Sequence, residues 1–385
     1  MRIRDGEGEE VFRKQLRAWL RTRLPAAAPG PPRVWEAGEL RAWSQALYEA
    51  GYAGLTWPTE YGGRGLPPSY QAIYAEEGAL AEAPDQVNVI GLNMVGPTII
   101  GFGSARQKAE HLPRILAGDT IFCQGFSEPE AGSDLAAVRT SARYEGDVYV
   151  LDGEKVWSSY AHLADQCLLL ARTDPQAPKH EGLTCFLLDM RTPGIQVRPL
   201  RQLSGDEDFN QIVLSGAAVP AHCVLGPPGE GWRVAMTTLL HERGTFGITL
   251  TSRLAVQFDR LRQTAAAVGA DRDPLVRREI AELYVQLQGL RYTGYRALSA
   301  LERTGLPGPE STVLKLRWSQ TNQRLAALAL SLVGEGAAPD GPVADWAAYW
   351  RHQRLRSRAN SIEGGTSEIL RGVIAERVLA LPRSR

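Results

Sequence analysis

The spacing of apolar residues changes twice along this chain, and the two changes limit the folds open to it. From the start to about residue 120 the period is helical, with Val11, Phe12, Leu16, Trp19 and Leu20 on one stripe. A Gly- and Pro-rich loop around Pro58–Pro68 interrupts it, and helical texture resumes through QAIYAEEGALAEA and ARQKAEHLPRIL. From 121 to about 230 short apolar runs alternate with Gly and Pro, as β-strands do. RYEGDVYVLDGEKVWSS reads as a hairpin turning at Asp152-Gly153, and LTCFLLDM, GIQVRPL and QIVLSGAAVP as further strands. From Gly231 the helical period returns. Asp273-Pro274 opens a helix with Ile280, Leu283, Tyr284, Leu287 and Leu290 on one face, Gly305 and Pro307 end it, and others run over about 311–332 and 344–381. The expectation is a mainly α protein with a central β domain: an N-terminal helical domain (1–120), a small β-barrel (121–230) and a C-terminal four-helix bundle (231–385). Without βαβ alternation, a doubly wound sheet is not expected.

Several functional classes fall away. Lys plus Arg and Asp plus Glu each number 43, so there is no basic excess for nucleic acid. No run approaches the roughly 18 apolar residues of a membrane span, and the charged start MRIRDGEGEE has no signal-like apolar segment. The expectation is a cytoplasmic protein. Cys123, Cys167, Cys185 and Cys223 lack CxxC spacing and read as free thiols. The six histidines show no ligand-like spacing, so no metal is expected. Neither a GxSxG elbow, a P-loop, HExxH nor a post-strand GxGxxG is present.

The informative segment is GFSEPEAGSDLAAVRTSA at 125–142, followed by LDGEKVWSS at 151–159. Such a loop offers N–H groups and hydroxyls to a polar ligand. By composition alone it would pass for an ordinary turn. Its residue order resembles the flavin-binding signature of the acyl-CoA dehydrogenase family. AGLTWPTEYGGRGL, HERG at 241–244 and EGGTSEILRGVIAERVLALP at 363–382 resemble three further signatures, in the family's order.

The resemblance implies FAD as cofactor. Phe126 and Ser127 match the pyrimidine side of the flavin, and Gly132 and Ser133 its thioester side. Trp157 matches the residue against the ring, and Ser159 the one near N5. Thr366 and Glu368 match contacts to the adenosine and pyrophosphate half. Gly334, in LVGEGA, matches a turn that receives a neighbouring subunit's cofactor, which implies a homo-oligomer, tetramer or dimer. The family's Arg-x-x-Phe-Gly segment after the central helix is missing from its place: that region reads RQTAAAVGADRDP, without Phe-Gly, and Arg262 is not assigned in its stead.

The implied reaction removes an α proton and a β hydride from an acyl-CoA, with electrons passing to electron-transfer flavoprotein. The family places its base either just before Gly-Thr near the C-terminus, here Gly364, or before Arg in the central helix, here Glu242. Glu242 is therefore the expected base, as in the long-chain and isovaleryl branches, and the Gly364 N–H polarises the thioester oxygen. Glu363 is a rival base displaced by one residue, and adjacent side chains point in different directions. Read without the resemblance, Glu242 would be a surface residue. Two alternatives stand beside this reading: a flavin oxidase or monooxygenase of the same fold, and a non-catalytic partner subunit of a hetero-oligomer.

Overall fold

The computed structural model describes residues 4–25, 32–242, 246–305, 308–334 and 343–382. The chain divides into two compact units, one of residues 35–65 and 85–242, the other of 1–34, 66–84 and 243–385. The first 120 residues thus contribute helices to both.

The first unit is built on a sheet of eight strands among the described residues: β1 (Phe122–Gly125), β2 (Ser141–Glu145), β3 (Val148–Ser159), β4 (Gln166–Arg172), β5 (Leu183–Asp189), β6 (Ile195–Leu200), β7 (Phe209–Pro220) and β8 (Val224–Leu225). Their order is β6-β7-β3-β2-β4-β5-β8, with β1 parallel to β4. This sheet forms the β domain expected between the two helical regions. β4 is covered on both faces, so Cys167–Ala171 is a continuous apolar run instead of an alternation. On one side Leu168 and Leu170 join Phe122, Val95, Ile99 and Leu112; on the other Cys167 and Leu169 join Leu151, Phe186 and Ile212. Buried Asn88 fixes the start of β1: it donates to the carbonyls of Ile115 and Thr120 (3.2 and 2.7 Å) and accepts from Phe122 N–H at 3.0 Å.

The expected turn at Asp152-Gly153 is a correction. The two-residue hairpin loop is Gly146-Asp147, where Gly146 supplies φ 73° and Glu145 pairs with Val148. β3 runs on through Asp152 and Gly153. Asp152 Oδ1 instead accepts from Gly216 N–H at 2.8 Å, at a β7 bulge. Gly153 is required by close approach: a Cβ there would lie 2.8 Å from Thr140 Cα.

The second unit is helical. Phe246–Ala267, Pro274–Thr304, Glu310–Val333 and Ala344–Arg356 pack around Leu254, Phe258, Leu261, Leu287, Leu325 and Trp350, forming the expected bundle. Asp273 caps its helix by accepting from Leu275 N–H at 2.8 Å, Pro274 occupies the first turn, and Gly305 ends it in the left-handed region. Leu283, Leu287 and Leu290 are buried as expected, whereas Tyr284 flanks the stripe and is exposed. Helix Glu7–Arg23 is fastened to helix Pro68–Leu80 by buried Glu77, which accepts from Arg13 at 2.9 Å and from Arg17 at 2.8 and 2.7 Å.

Candidate active site

In the first unit β1 leads directly into the 126–140 loop. Gly125 is the pivot, because a Cβ would meet Leu169 Cδ1 at 2.8 Å and Cys167 Sγ at 2.9 Å. The loop is riveted from within by Glu128. One carboxylate oxygen accepts from Thr140 N–H and Lys155 Nζ, both at 2.8 Å, and the other accepts from Arg139 N–H at 2.7 Å. Lys155 Nζ also donates to the Phe126 carbonyl at 3.2 Å, and Val156 N–H to that of Ser127 at 2.9 Å. Burial alone would raise the Glu128 carboxyl. The Lys155 ammonium and the N–H donors outweigh it and hold the group below the ordinary carboxylate range. Burial pushes the Lys155 ammonium down, against the opposing pull of Glu128.

Neither rivet residue stood out as functional in the sequence, yet one signal was there. Tyr149, Leu151 and Lys155 share the inward, buried register of β3 by their period of two, so a charge stands in an apolar register.

Just beyond Lys155, β3 bulges: Val156 and Trp157 face only Gln211 between the pairs Lys155–Ile212 and Ser158–Asn210. Trp157 takes the left-handed region at φ 62°, which costs a non-glycine residue about 1–3 kcal/mol. Its indole is 61 % exposed, with Phe209 set edge-on at 6.0 Å. Ser127 and Ser159 are half-buried, and Gly132 and Ser133 exposed. Phe126 packs into the core, so it offers a ligand only backbone.

The helix Gly231–Glu242 closes this unit. Glu242 is its last residue; its side chain and all of Arg243 lie outside the described residues. One turn earlier, buried Thr238 meets Thr98 hydroxyl to hydroxyl at 3.0 Å and fixes the helix end.

In the second unit Gly364 and Gly365 form a left-handed pair, φ 60° and 96°. Lys315 Nζ donates to the Gly365 carbonyl at 2.7 Å. Thr366 caps the next helix, accepting from Ile369 N–H at 3.2 Å, and exposed Glu368 pairs with Arg371 at 3.5 Å. Gly334 ends its helix at φ 80°; Glu335, Gly336 and Ala337 of LVGEGA lie outside the described residues. Glu363, the rival base, is held by Arg356 and Asn360.

The sequence carries a family's pattern over most of its length. Family models for the N-terminal, middle and C-terminal domains of acyl-CoA dehydrogenase match residues 6–119, 123–216 and 229–379. The chain belongs to the acyl-CoA dehydrogenase family. It is an oxidoreductase of that family's three-domain fold: helical, β, helical. Acyl-CoA dehydrogenase IpdE1 of Mycobacterium tuberculosis is 41 % identical over 384 residues, covering 97 % of this chain and 98 % of that protein. Among solved structures, one described as the Tcur3481-Tcur3483 steroid ACAD superposes with a TM-score of 0.87 at 31 % identity, covering all of both chains. The ChsE4-ChsE5 complex from Mycobacterium tuberculosis gives 0.84 at 28 %, again over all of both chains.

Members of this family bind FAD. The residues present fit such a group: an exposed indole held outward by a strained bulge provides a flat platform, beside a rigid loop with exposed glycine and serine. No described helix is long and apolar enough to cross a membrane, and no metal-binding group of His, Cys, Asp or Glu occurs among the described residues.

Proposed function

We propose that this acyl-CoA dehydrogenase converts an acyl-CoA thioester to its trans-2-enoyl-CoA and that Glu242 takes the α proton. Trp157 carries the flavin part of the reading, because a planar group bound against it accounts for an outward, strained and exposed indole at that bulge. Ser127, Gly132, Ser133 and Ser159 hold FAD with Trp157 in the first unit. By the family resemblance Thr366 and Glu368 contact the adenosine and pyrophosphate half of FAD, and Gly334 receives the cofactor of a neighbouring subunit. FAD, when bound, supplies the acceptor for the β hydride. The chain's own residues act on the proton and on charge. Glu242 removes the proton as general base, and the Gly364 N–H donates to the thioester oxygen as negative charge develops there. Electrons then pass to electron-transfer flavoprotein, in the cytoplasm, from a homo-oligomer.

The acyl group we propose is bulky and ring-bearing, on the strength of the similarity to the steroid ACAD. Anaerobic titration with butyryl-, octanoyl- and palmitoyl-CoA and the CoA thioester of a steroid-ring carboxylic acid tests this by flavin bleaching. The ring-bearing thioester should bleach fastest; bleaching by none of them removes the reading.

A second reading has its own support. A solved structure similar to this chain is described as the ChsE4-ChsE5 complex, and the region RQTAAAVGADRDP after the central helix carries no Phe-Gly. In that reading this chain works beside an unlike, related chain. Light scattering and the FAD content of the chain purified alone separate the two: a homo-oligomer is yellow by itself.

A further inference from the structure

We infer that Glu363 is a positioning residue which, through Arg356 and Asn360, locks the turn that presents the Gly364 N–H to the thioester oxygen. The inference rests on the role proposed for that N–H. Two consecutive left-handed glycines are the least self-supporting backbone a chain can offer: each ordered residue costs about 1–2 kcal/mol of backbone entropy, and glycine more than others. An N–H that stabilises a developing oxyanion must nevertheless be fixed before the reaction.

The turn is anchored on both sides. Downstream, Lys315 holds the Gly365 carbonyl at 2.7 Å and Thr366 caps the following helix. Upstream, Glu363 does the holding. Arg356 grips both its oxygens with both terminal nitrogens, at 3.3 and 3.0 Å, and Asn360 Nδ2 donates to it at 2.7 Å. Such two-pronged, charge-assisted contacts fix direction as well as distance. Asn360 is itself buried and accepts from Asn322 Nδ2 of the bundle helix Glu310–Val333 at 2.8 Å. The carboxylate is thus tied to the helix bundle. With both oxygens hydrogen-bonded and its charge matched by Arg356, Glu363 is ill suited to take a proton from carbon. Among the described residues, no acceptor meets the Gly364 N–H.

The test compares Glu363→Gln and Arg356→Lys with the wild-type holoenzyme. Both variants keep approximate size; the first removes the charge, the second the two-pronged grip. The probes are the panel thioester that bleaches the wild type fastest and the matching alkyl-CoA thioether, which lacks the carbonyl. Each variant should keep FAD and bind the thioether as the wild type does. Thioester affinity should fall several-fold, and the reduction rate about 10–100-fold, short of the loss from deleting an oxyanion donor outright. Equal loss of thioether and thioester binding would make Glu363 merely structural and overturn the inference, as would wild-type behaviour in both variants. A dead Glu363→Gln beside an active Glu242→Gln would make Glu363 the base, overturning the inference and the base assignment together. A wild type that no thioester bleaches would sink the parent reading, and with it the role given to Gly364.

Discussion

Lys155 Nζ lies 2.8 Å from Glu128 Oε1, with the ammonium fully buried. The pair joins β3 to the loop after β1, so the loop proposed to hold the flavin takes its shape from a buried ion pair. Removing one partner of a buried pair leaves the other uncompensated and costs about 3–5 kcal/mol. Lys155→Met should cost that much in urea unfolding and release FAD. The double variant Glu128→Gln/Lys155→Met should recover part of the stability. Unchanged stability and FAD content in Lys155→Met would show the pair to be incidental.

Glu77 gives the acid limb of stability. Burial would raise its carboxyl, but hydrogen bonds and charge from Arg17 and Arg13 hold it below its ordinary value. A carboxyl whose folded pKa lies below its unfolded one adds stability that is fully present above the unfolded value. That stability is lost as pH falls through the folded value. Because Arg17 is half exposed, Glu77→Gln should cost about 1–3 kcal/mol at neutral pH. The gap from the wild type should close as pH falls below the carboxylate range. A gap equally wide in acid would mean that Glu77 acts by packing.

Trp157 should respond with opposite signs in two measurements. Trp157→Gly relieves the φ 62° strain, about 1–3 kcal/mol, and forfeits little packing. The cofactor-free protein should therefore be as stable as the wild type or slightly more so. FAD affinity should drop about tenfold, as expected for one lost aromatic contact of up to about 1.5 kcal/mol. Reduced stability with unchanged FAD affinity would make Trp157 an ordinary strand aromatic.

Legibility in the sequence followed the range of the interactions. The order of helical, β and helical texture was readable because burial on one face imposes a period, and Asp273-Pro274 because capping is local. Asp152-Gly153 misled because the dipeptide signals either a turn or close approach, and only Thr140 and β7 decide between them. The proposed cofactor contacts came from motif order. Its supports did not. The Glu128–Lys155 pair spans 27 residues and Asn322–Asn360 spans 38, contacts that exist only once strands and helices have packed. Lys155 alone left a trace, as a charge in an inward register.

The central claim is that Glu242, not Glu363, removes the α proton. Glu242→Gln preserves size and removes the proton acceptor, and loss of a general base costs about 10²–10⁴-fold. The decisive measurement is the anaerobic, single-turnover rate of flavin reduction by the best panel thioester, in wild type and Glu242→Gln with equal FAD content. The account predicts a loss of that size or larger with FAD still bound. Reduction of Glu242→Gln at the wild-type rate would contradict it.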